Sequence, residues 1–171
     1  MYGKPHSPVG LSPFVRWPEH HVYARDHGDR LGLGTYDHVP VPITPNALGT
    51  KAEQPWPDEV FDPAVAKASM LLPAATHFTP HQRLNGVFAM SPDNLPLVGP
   101  MGDVDGLWAA QALWVTHAGG AAHALAQLIT HGKTDLSEID QLSPGRFADQ
   151  LPDELARRAL RLYNDIYATA D

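Results

Sequence analysis

Proline is the residue that most restricts how this chain can fold. The sequence has 17 prolines among 171 residues, and most of them lie in the first hundred positions. Because proline lacks an amide donor and has a fixed φ, it interrupts helices and central strands. We therefore expect strands, turns and extended loops in the first half of the chain, with few long helices.

Composition excludes several classes of protein. A net charge of −7, with no run of Lys or Arg, argues against a nucleic-acid partner. The absence of cysteine excludes disulfides, thiolate metal sites and cysteine nucleophiles. No apolar stretch is long enough to span a bilayer, and the first residues lack the apolar core of a signal peptide. We therefore expect no membrane partner and a cytoplasmic location.

The hydrophobic pattern predicts an α+β or α/β chain, and 43% hydrophobic residues are enough for a packed core. Alternation and apolar runs predict strands at 11–17, 22–25, 30–36, 84–90 and 106–115, the last of them buried. Tight turns are expected at 27–30 and 91–94, and an extended loop at 39–57. Helical periodicity predicts helices at 63–72, 118–131 and 152–168.

Capping residues set the expected helix ends. Asp62 is the expected N-cap of the first helix, with Pro63 at its first position and Pro73 stopping it. Gly132 is the expected C-cap of the second.

The sequence offers a first candidate site where the predicted buried strand meets the helix at 118–131. The segment WVTHAGGA places Gly119 and Gly120 in the first helical turn, where backbone amides are unpaired and the helix dipole is positive. A ligand oxygen could approach such a turn closely. The alternative is that the glycines only let the helix pack on the sheet.

Two further segments are candidate sites, and each also has a purely structural interpretation. SPDNLPLVGP at 91–100 is the second candidate site, but its composition favours an ordinary proline-rich turn between strands. In the hairpin at 22–36, Tyr23 could orient a substrate through its hydroxyl. Tyr23 and Tyr36 could equally be cross-strand packing residues, and on the residues alone that interpretation is favoured.

Other chemistries find little support. The adjacent His20 and His21 should point to opposite faces of a strand, and His117, His123 and His131 have no pair three or four apart. We therefore predict no metal site. The chain has neither a G-x-S-x-G elbow nor a phosphate-binding P-loop.

Three stretches, taken together, resemble one family. YARDHGDRLGLGTYDH, LNGVFAMSPDNLPLVGP and GLWAAQALWVTHAGGAAHALAQLITHGKTD are similar, in this order, to the second half of the FAD-dependent oxidoreductase domain of dimethylglycine oxidases, dimethylglycine dehydrogenases and sarcosine dehydrogenases. The resemblance implies an antiparallel substrate-side sheet over the flavin ring in residues 1–84. It implies the returning strand and helix of a Rossmann-like FAD domain in 85–133, and a C-terminal extension with a helix in 134–171.

The resemblance also implies roles for single residues. Tyr23 matches the active-site tyrosine, near the substrate amine or carboxylate. The cofactor-binding residues that it implies lie along the flavin or at its pyrimidine end: Gly86, Ser91, Pro92, Asp93, Pro96, Leu97, Trp114, Val115, Thr116, His117 and Gly119. The chain departs from the family at Asn94, where Gly is frequent, and at Ala118-Gly119-Gly120, where Ser-Ala-Gly is frequent.

The family's G-x-G-x-x-G dinucleotide fingerprint is absent from the 171 residues. We therefore expect part of an FAD-dependent amine oxidoreductase that takes a hydride equivalent from an N-methyl glycine derivative and is inactive without the missing half. One alternative is a non-catalytic subunit that completes a flavoprotein made of two chains, its partner carrying the fingerprint. Another is a truncated product without function.

Overall fold

The computed structural model describes residues 2–4, 13–36, 38–48, 50, 52–75, 78–102 and 104–165. The chain divides into two compact units, Met1–Val87 with Asn164–Asp171, and Phe88–Tyr163. The predicted α+β class is confirmed, because each unit combines antiparallel strands with a helix.

The first unit is built on an antiparallel sheet. Its described strands have the order β2-β3-β4-β1-β5. Their bounds are β1 Tyr2–Lys4, β2 Val15–Trp17, β3 Val22–Asp26, β4 Leu31–Thr35 and β5 Thr79–Gln82. The predicted pairing of the strands at 22–25 and 30–36 is confirmed. The strand predicted at 11–17 is shorter, since residues 13 and 14 are not in a strand and residues 11 and 12 lie outside the described residues.

The turn between β3 and β4 is held by two short hydrogen bonds, as its composition predicts. The Oδ1 atom of Asp26 accepts from the amide of Gly28 at 2.7 Å, and the amide of His27 donates to the carbonyl of Arg30 at 2.8 Å. Gly28 has φ of +84°, a left-handed conformation that costs glycine little.

One face of this sheet forms the core of the first unit. Ala24, Leu31 and Leu33 pack against Phe61 and Ala68 of helix α2, Asp58–Leu71. Hydrophobic side chains removed from water in this way supply most of the stabilisation of a small unit.

The predicted start of helix α2 is wrong. The helix begins at Asp58, not after an N-cap at Asp62, and Pro63 lies inside it. Its buried residues Phe61, Ala64 and Ala68 recur at helical spacing, so the stripe that faces the core already includes a residue before Pro63. Proline is accommodated early in the helix on its exposed side. The short helix α1, Pro45–Leu48, lies within the predicted loop.

Two other predictions in the first unit are also wrong. Residues 84–90 form no strand, and Gly86 makes a single bridge with Glu53. The facing segment contains Pro55 and Pro57, which lack the amides that a longer ladder needs. His20 and His21 do not lie on a strand, because they end a 3₁₀ turn, with His21 at φ of +55°.

The second unit contains a short hairpin and helices. β6, Leu97–Pro100, pairs antiparallel with β7, Trp108–Gln111. Helix α3, Ala118–His131, packs on both strands and ends at Gly132, whose φ is +68°, as predicted. Two 3₁₀ helices follow, Ile139–Leu142 and Pro144–Phe147, both packed against β6. Helix α4 is Pro152–Asn164, so its predicted end at 168 lies outside the described residues.

The strand predicted at 106–115 is present but shorter, and its predicted burial is wrong for most of its residues. Only Trp108–Gln111 is a strand, and Val115 is 94% exposed. Ala112 has φ of +53°, which ends the extended conformation. Residues 112–117 therefore form a loop, and the strand does not run directly into α3.

None of the helices within the described part of the chain combines the length and apolarity that crossing a membrane requires.

The core of the first unit predicts how single truncations change its stability. Leu31 is 2% exposed, and we expect Leu31→Ala to lower the free energy of unfolding by about 2–5 kcal/mol, the range for creating a cavity. Val41 is 72% exposed, so Val41→Ala should change it by less than about 0.5 kcal/mol. Urea denaturation followed by circular dichroism measures both. Equal effects of the two substitutions would contradict this core assignment.

Candidate functional site

The second face of the first unit's sheet carries the tyrosine that the sequence singles out. Along β3, Val22 and Ala24 are buried, whereas Tyr23 between them points to the opposite face. Tyr23 lies opposite Arg16 on β2 and Gly34 on β4. This face is not covered by α2, so it is the face on which a ligand could meet Tyr23.

Aromatic rings surround Tyr23 on this face. Its ring centroid lies 5.6 Å from that of Phe14 and 5.6 Å from that of Tyr36, with tilted planes in both pairs. Such distances are typical of favourable aromatic pairs. The structure therefore supports the cross-strand packing role of Tyr23 and Tyr36, and the substrate-contacting role of Tyr23 stays a prediction.

Gly34 makes room for the Tyr23 ring. A Cβ atom built on Gly34 would overlap the Cζ atom of the tyrosine. Glycine in a strand often marks a close approach, and here the approaching group is a side chain from the neighbouring strand. A larger residue at position 34 would push the ring away from the sheet.

In the second unit, the turn at 91–94 has the geometry that its residues predict. Asn94 has φ of +61°, a left-handed conformation that Asn tolerates. The Oδ1 atom of Asp93 accepts from the amide of Leu95 at 3.0 Å, which closes the turn. Ser91 and Pro96, at the two ends of the segment, are buried.

The carboxylate of Asp93 is bound by Arg146, a residue that the sequence analysis missed. The Nε atom of Arg146 donates to Oδ2 at 2.8 Å, and its Nη2 atom donates to Oδ1 at 2.9 Å. Both side chains are largely buried, at 13% and 25% exposed. A sequence separation of 53 residues leaves no local pattern that could reveal this pair.

Arg146 also donates to backbone carbonyls on both sides of the pair. Its Nη2 atom reaches the carbonyl of Leu95 at 3.0 Å, and its Nη1 atom reaches those of Leu142 and Ser143 at 3.0 Å each. The guanidinium therefore joins the turn at 91–95 to the 3₁₀ helices after α3.

This environment lowers the pKa of Asp93. Burial by itself would raise the pKa, because it disfavours the charged form, but the hydrogen bonds from Arg146 and from the amide of Leu95 outweigh it. The carboxylate is therefore ionised and paired, so the structure commits the Asp93 side chain to the protein and not to a ligand.

The start of α3 lies beside the same turn. The Nε1 atom of Trp114 donates to the Oδ1 atom of Asn94 at 3.3 Å, and the Trp114 ring lies 5.6 Å from that of Phe88. The structure thus brings together the segments at 91–95 and 114–120, both predicted to contact a cofactor.

The first turn of α3 is bare and open. Among the described residues the amides of Gly119 and Gly120 have no acceptor outside the helix, and a Cβ on either glycine would meet no atom within 4 Å. His117, the N-cap, makes no side-chain capping bond. Unpaired amides at the positive end of a helix dipole suit an anionic or carbonyl oxygen.

The remaining predicted residues are distributed over both units. Val115, Thr116, His117 and Gly119 are exposed around the start of α3, and Leu97 begins β6. Gly86 and Tyr23 belong to the first unit, the others to the second. Within the described ranges, no cluster of three or more His, Asp or Glu side chains could hold a metal ion.

Comparison with known proteins identifies the class. Residues 3–128 match the family described as FAD dependent oxidoreductase, and the chain belongs to this family, whose cofactor is FAD. Among curated proteins, mitochondrial dimethylglycine dehydrogenases are similar to it: 29% identity for that of Mus musculus, 28% for Homo sapiens and 26% for Rattus norvegicus. Each similarity extends over 166 residues, 90% of this chain but 19% of the relative.

The contact between Tyr23 and Gly34 predicts a coupled effect of substitutions. Gly34→Ala should lower the free energy of unfolding by about 1–3 kcal/mol, because the added methyl group overpacks the ring. Gly102→Ala is the matched control, since a Cβ there meets no atom within 4 Å. In a Tyr23→Ala background the cost of Gly34→Ala should largely vanish. An unchanged cost in that background, measured by urea denaturation, would refute the contact.

The lowered pKa of Asp93 predicts a pH dependence of stability. A carboxylate with a depressed folded pKa contributes stability above its ordinary pKa of 3.8 and loses it as pH falls through the folded value. The difference in unfolding free energy between the native protein and Asp93→Asn should therefore shrink below about pH 4. Denaturation midpoints from pH 7 to pH 2.5 measure it. A difference that stays constant over this range would be inconsistent with the ion pair.

Proposed function

We propose that this chain is part of an FAD-dependent oxidoreductase that acts on N-methyl derivatives of glycine, of the dimethylglycine or sarcosine type. The observation that carries the proposal is the open first turn of α3, where the amides of Gly119 and Gly120 have no acceptor outside the helix among the described residues. Trp114, shortly before this turn, is hydrogen-bonded to Asn94 of the turn at 91–95. Membership of the flavoprotein family and similarity to dimethylglycine dehydrogenases support it.

The residues at the start of α3 would hold the pyrimidine end of the flavin. Bound FAD supplies the chemistry by accepting a hydride equivalent from the carbon next to the substrate nitrogen, which leaves an iminium that hydrolyses or passes on its one-carbon unit. The amides of Gly119 and Gly120 would donate to the flavin carbonyl on which negative charge grows during reduction. The helix dipole acts in the same direction.

The turn at 91–95 would line the flavin with its backbone and prolines. The carboxylate of Asp93 already accepts from Arg146 and Leu95, so its contribution is to shape the turn. The Trp114–Asn94 hydrogen bond would keep this turn in register with the start of α3.

Tyr23 would position the substrate in the first unit. Its hydroxyl can donate to a carboxylate or accept from a protonated amine. Its ring packs against the rings of Phe14 and Tyr36 and against Gly34. A side chain fixed by packing keeps its polar end in one place, which a substrate-orienting group requires.

The proposal also requires FAD-binding residues that this sequence does not contain. The chain spans 19% of the length of the dimethylglycine dehydrogenases that it matches, and its sequence has no G-x-G-x-x-G. The pyrophosphate of FAD would therefore be bound by residues outside this sequence, either in the same polypeptide or in a separate chain. As a subunit, the chain would complete a flavoprotein without catalysing alone. The cytoplasmic location stays a prediction, and the relatives are described as mitochondrial.

Isolation from the native source tests this function. We expect the chain, together with any polypeptide that accompanies it, to show the visible absorbance of bound flavin. We also expect it to reduce an artificial electron acceptor when dimethylglycine or sarcosine is added. Glycine, which lacks the N-methyl group, is the matched control substrate. A flavin spectrum without amine-dependent reduction would refute the substrate class, and the absence of any bound flavin would refute the function.

Tyr23→Phe tests the substrate contact in the active preparation. Loss of a hydrogen bond to a charged substrate group should lower kcat/KM roughly ten- to a hundredfold. Tyr36→Phe removes a hydroxyl from the neighbouring ring and should have a smaller effect. If Tyr23→Phe leaves both KM and kcat unchanged, the role assigned to Tyr23 is wrong.

A further inference from the structure

We propose that Arg146 is a positioning residue for the cofactor: it fixes the turn at 91–95 and the start of α3 in the arrangement that binds flavin. This inference rests on the proposed function. It adds a residue outside residues 3–128, the range that matches the family, and so assigns the segment after α3 a part in cofactor binding.

The contacts of Arg146 exceed what a surface ion pair provides. Two parallel hydrogen bonds to Asp93 set the orientation of the carboxylate, and a third, to the carbonyl of Leu95, holds the far side of the turn. With the side chain 13% exposed, these bonds are little weakened by water or salt. A planar guanidinium is required, because an ammonium group cannot donate in parallel to both carboxylate oxygens.

A second contact holds the same segment against β6. Gly99 is buried with φ of +142°, a conformation that favours glycine, and a Cβ there would come within 3.3 Å of the Cδ atom of Pro144. Pro144, two residues before Arg146 in the 3₁₀ helix Pro144–Phe147, therefore packs on the backbone of β6. This contact holds the helix that carries Arg146 against β6.

The turn that Arg146 holds is connected directly to the proposed flavin contact. Asp93 is followed by Asn94, whose side chain accepts from Trp114, and Trp114 lies in the loop at 112–117 that leads into α3. Displacement of the turn would remove the acceptor of Trp114 and loosen this loop. The chain of contacts runs from Arg146 through Asp93, Asn94 and Trp114 to the start of α3.

Arg146 also neutralises the charge of Asp93. Without it, the carboxylate of Asp93 would have no cationic partner among the described residues. An unpaired negative charge beside the flavin would oppose the negative charge of the reduced form. Arg146 should therefore favour both binding and reduction of the cofactor.

The test compares Arg146→Met and Arg146→Lys with Arg157→Met in the full chain, prepared as for the native protein. Arg157 lies exposed on α4 and donates to the carbonyl of Asp153 at 3.2 Å, so it controls for loss of one arginine. The first readout is the indole ¹H–¹⁵N resonance of Trp114, with that of Trp56 in the first unit as internal reference. The second is the dissociation constant of FAD from quenching of flavin fluorescence.

We expect Arg146→Met to shift the Trp114 resonance, leave that of Trp56 in place, and weaken FAD binding about tenfold or more. Arg146→Lys should give a Trp114 shift and an FAD affinity between those of the native protein and Arg146→Met. Lysine keeps the positive charge but cannot make the two parallel hydrogen bonds of the guanidinium. Arg157→Met should resemble the native protein in both readouts.

Three outcomes overturn the inference, and they separate it from the proposed function. A folded Arg146→Met protein with native FAD affinity refutes the positioning role and leaves the function standing. A moved Trp56 resonance as well as Trp114 would show general unfolding, and then Arg146→Lys with native affinity refutes the role. If the native protein itself binds no FAD, the proposed function fails, and a Trp114 shift would make Arg146 a structural residue only.

Discussion

The second unit depends on one buried ion pair. Asp93 and Arg146 meet through two parallel hydrogen bonds, and the same guanidinium holds carbonyls of Leu95, Leu142 and Ser143. β6 and β7 are each short, so strand pairing alone gives this unit little support. Removing one partner of such a pair leaves an uncompensated charge, which costs more than the intact pair contributes. The turn at 91–95 that this pair holds is itself hydrogen-bonded to Trp114, shortly before α3.

In the first unit, the two faces of the sheet have different roles. One face buries Ala24, Leu31 and Leu33 against α2, while the other presents Tyr23 among aromatic rings. Alternation along β3 separates the two functions, and Gly34 provides the space that the tyrosine needs. The apolar core and the proposed substrate contact therefore lie on opposite faces of the same strands.

Local features could be predicted from the sequence. Gly28 and Asp29 predict the hairpin turn at 27–30, Gly132 predicts the C-terminal end of α3, and the residues at 91–94 predict the turn found there. The strand predicted at 84–90 is wrong, because prolines in the facing segment limit the pairing to one bridge. The strand predicted at 106–115 is shorter, because the backbone at Ala112 ends it. Arg146 could not be found, since its partner lies 53 residues away and no periodicity joins them. The distribution of flavin and substrate contacts stays a prediction drawn from resemblance.

The central claim is that the bare first turn of α3 binds the flavin. Titration of FAD into the ¹⁵N-labelled chain, with any polypeptide that accompanies it, tests this claim through the amide resonances of Gly119 and Gly120. We expect saturable shifts at these two amides, because each would donate to a flavin carbonyl in place of water. FAD binding that shifts other resonances and leaves both glycine amides unmoved would contradict it.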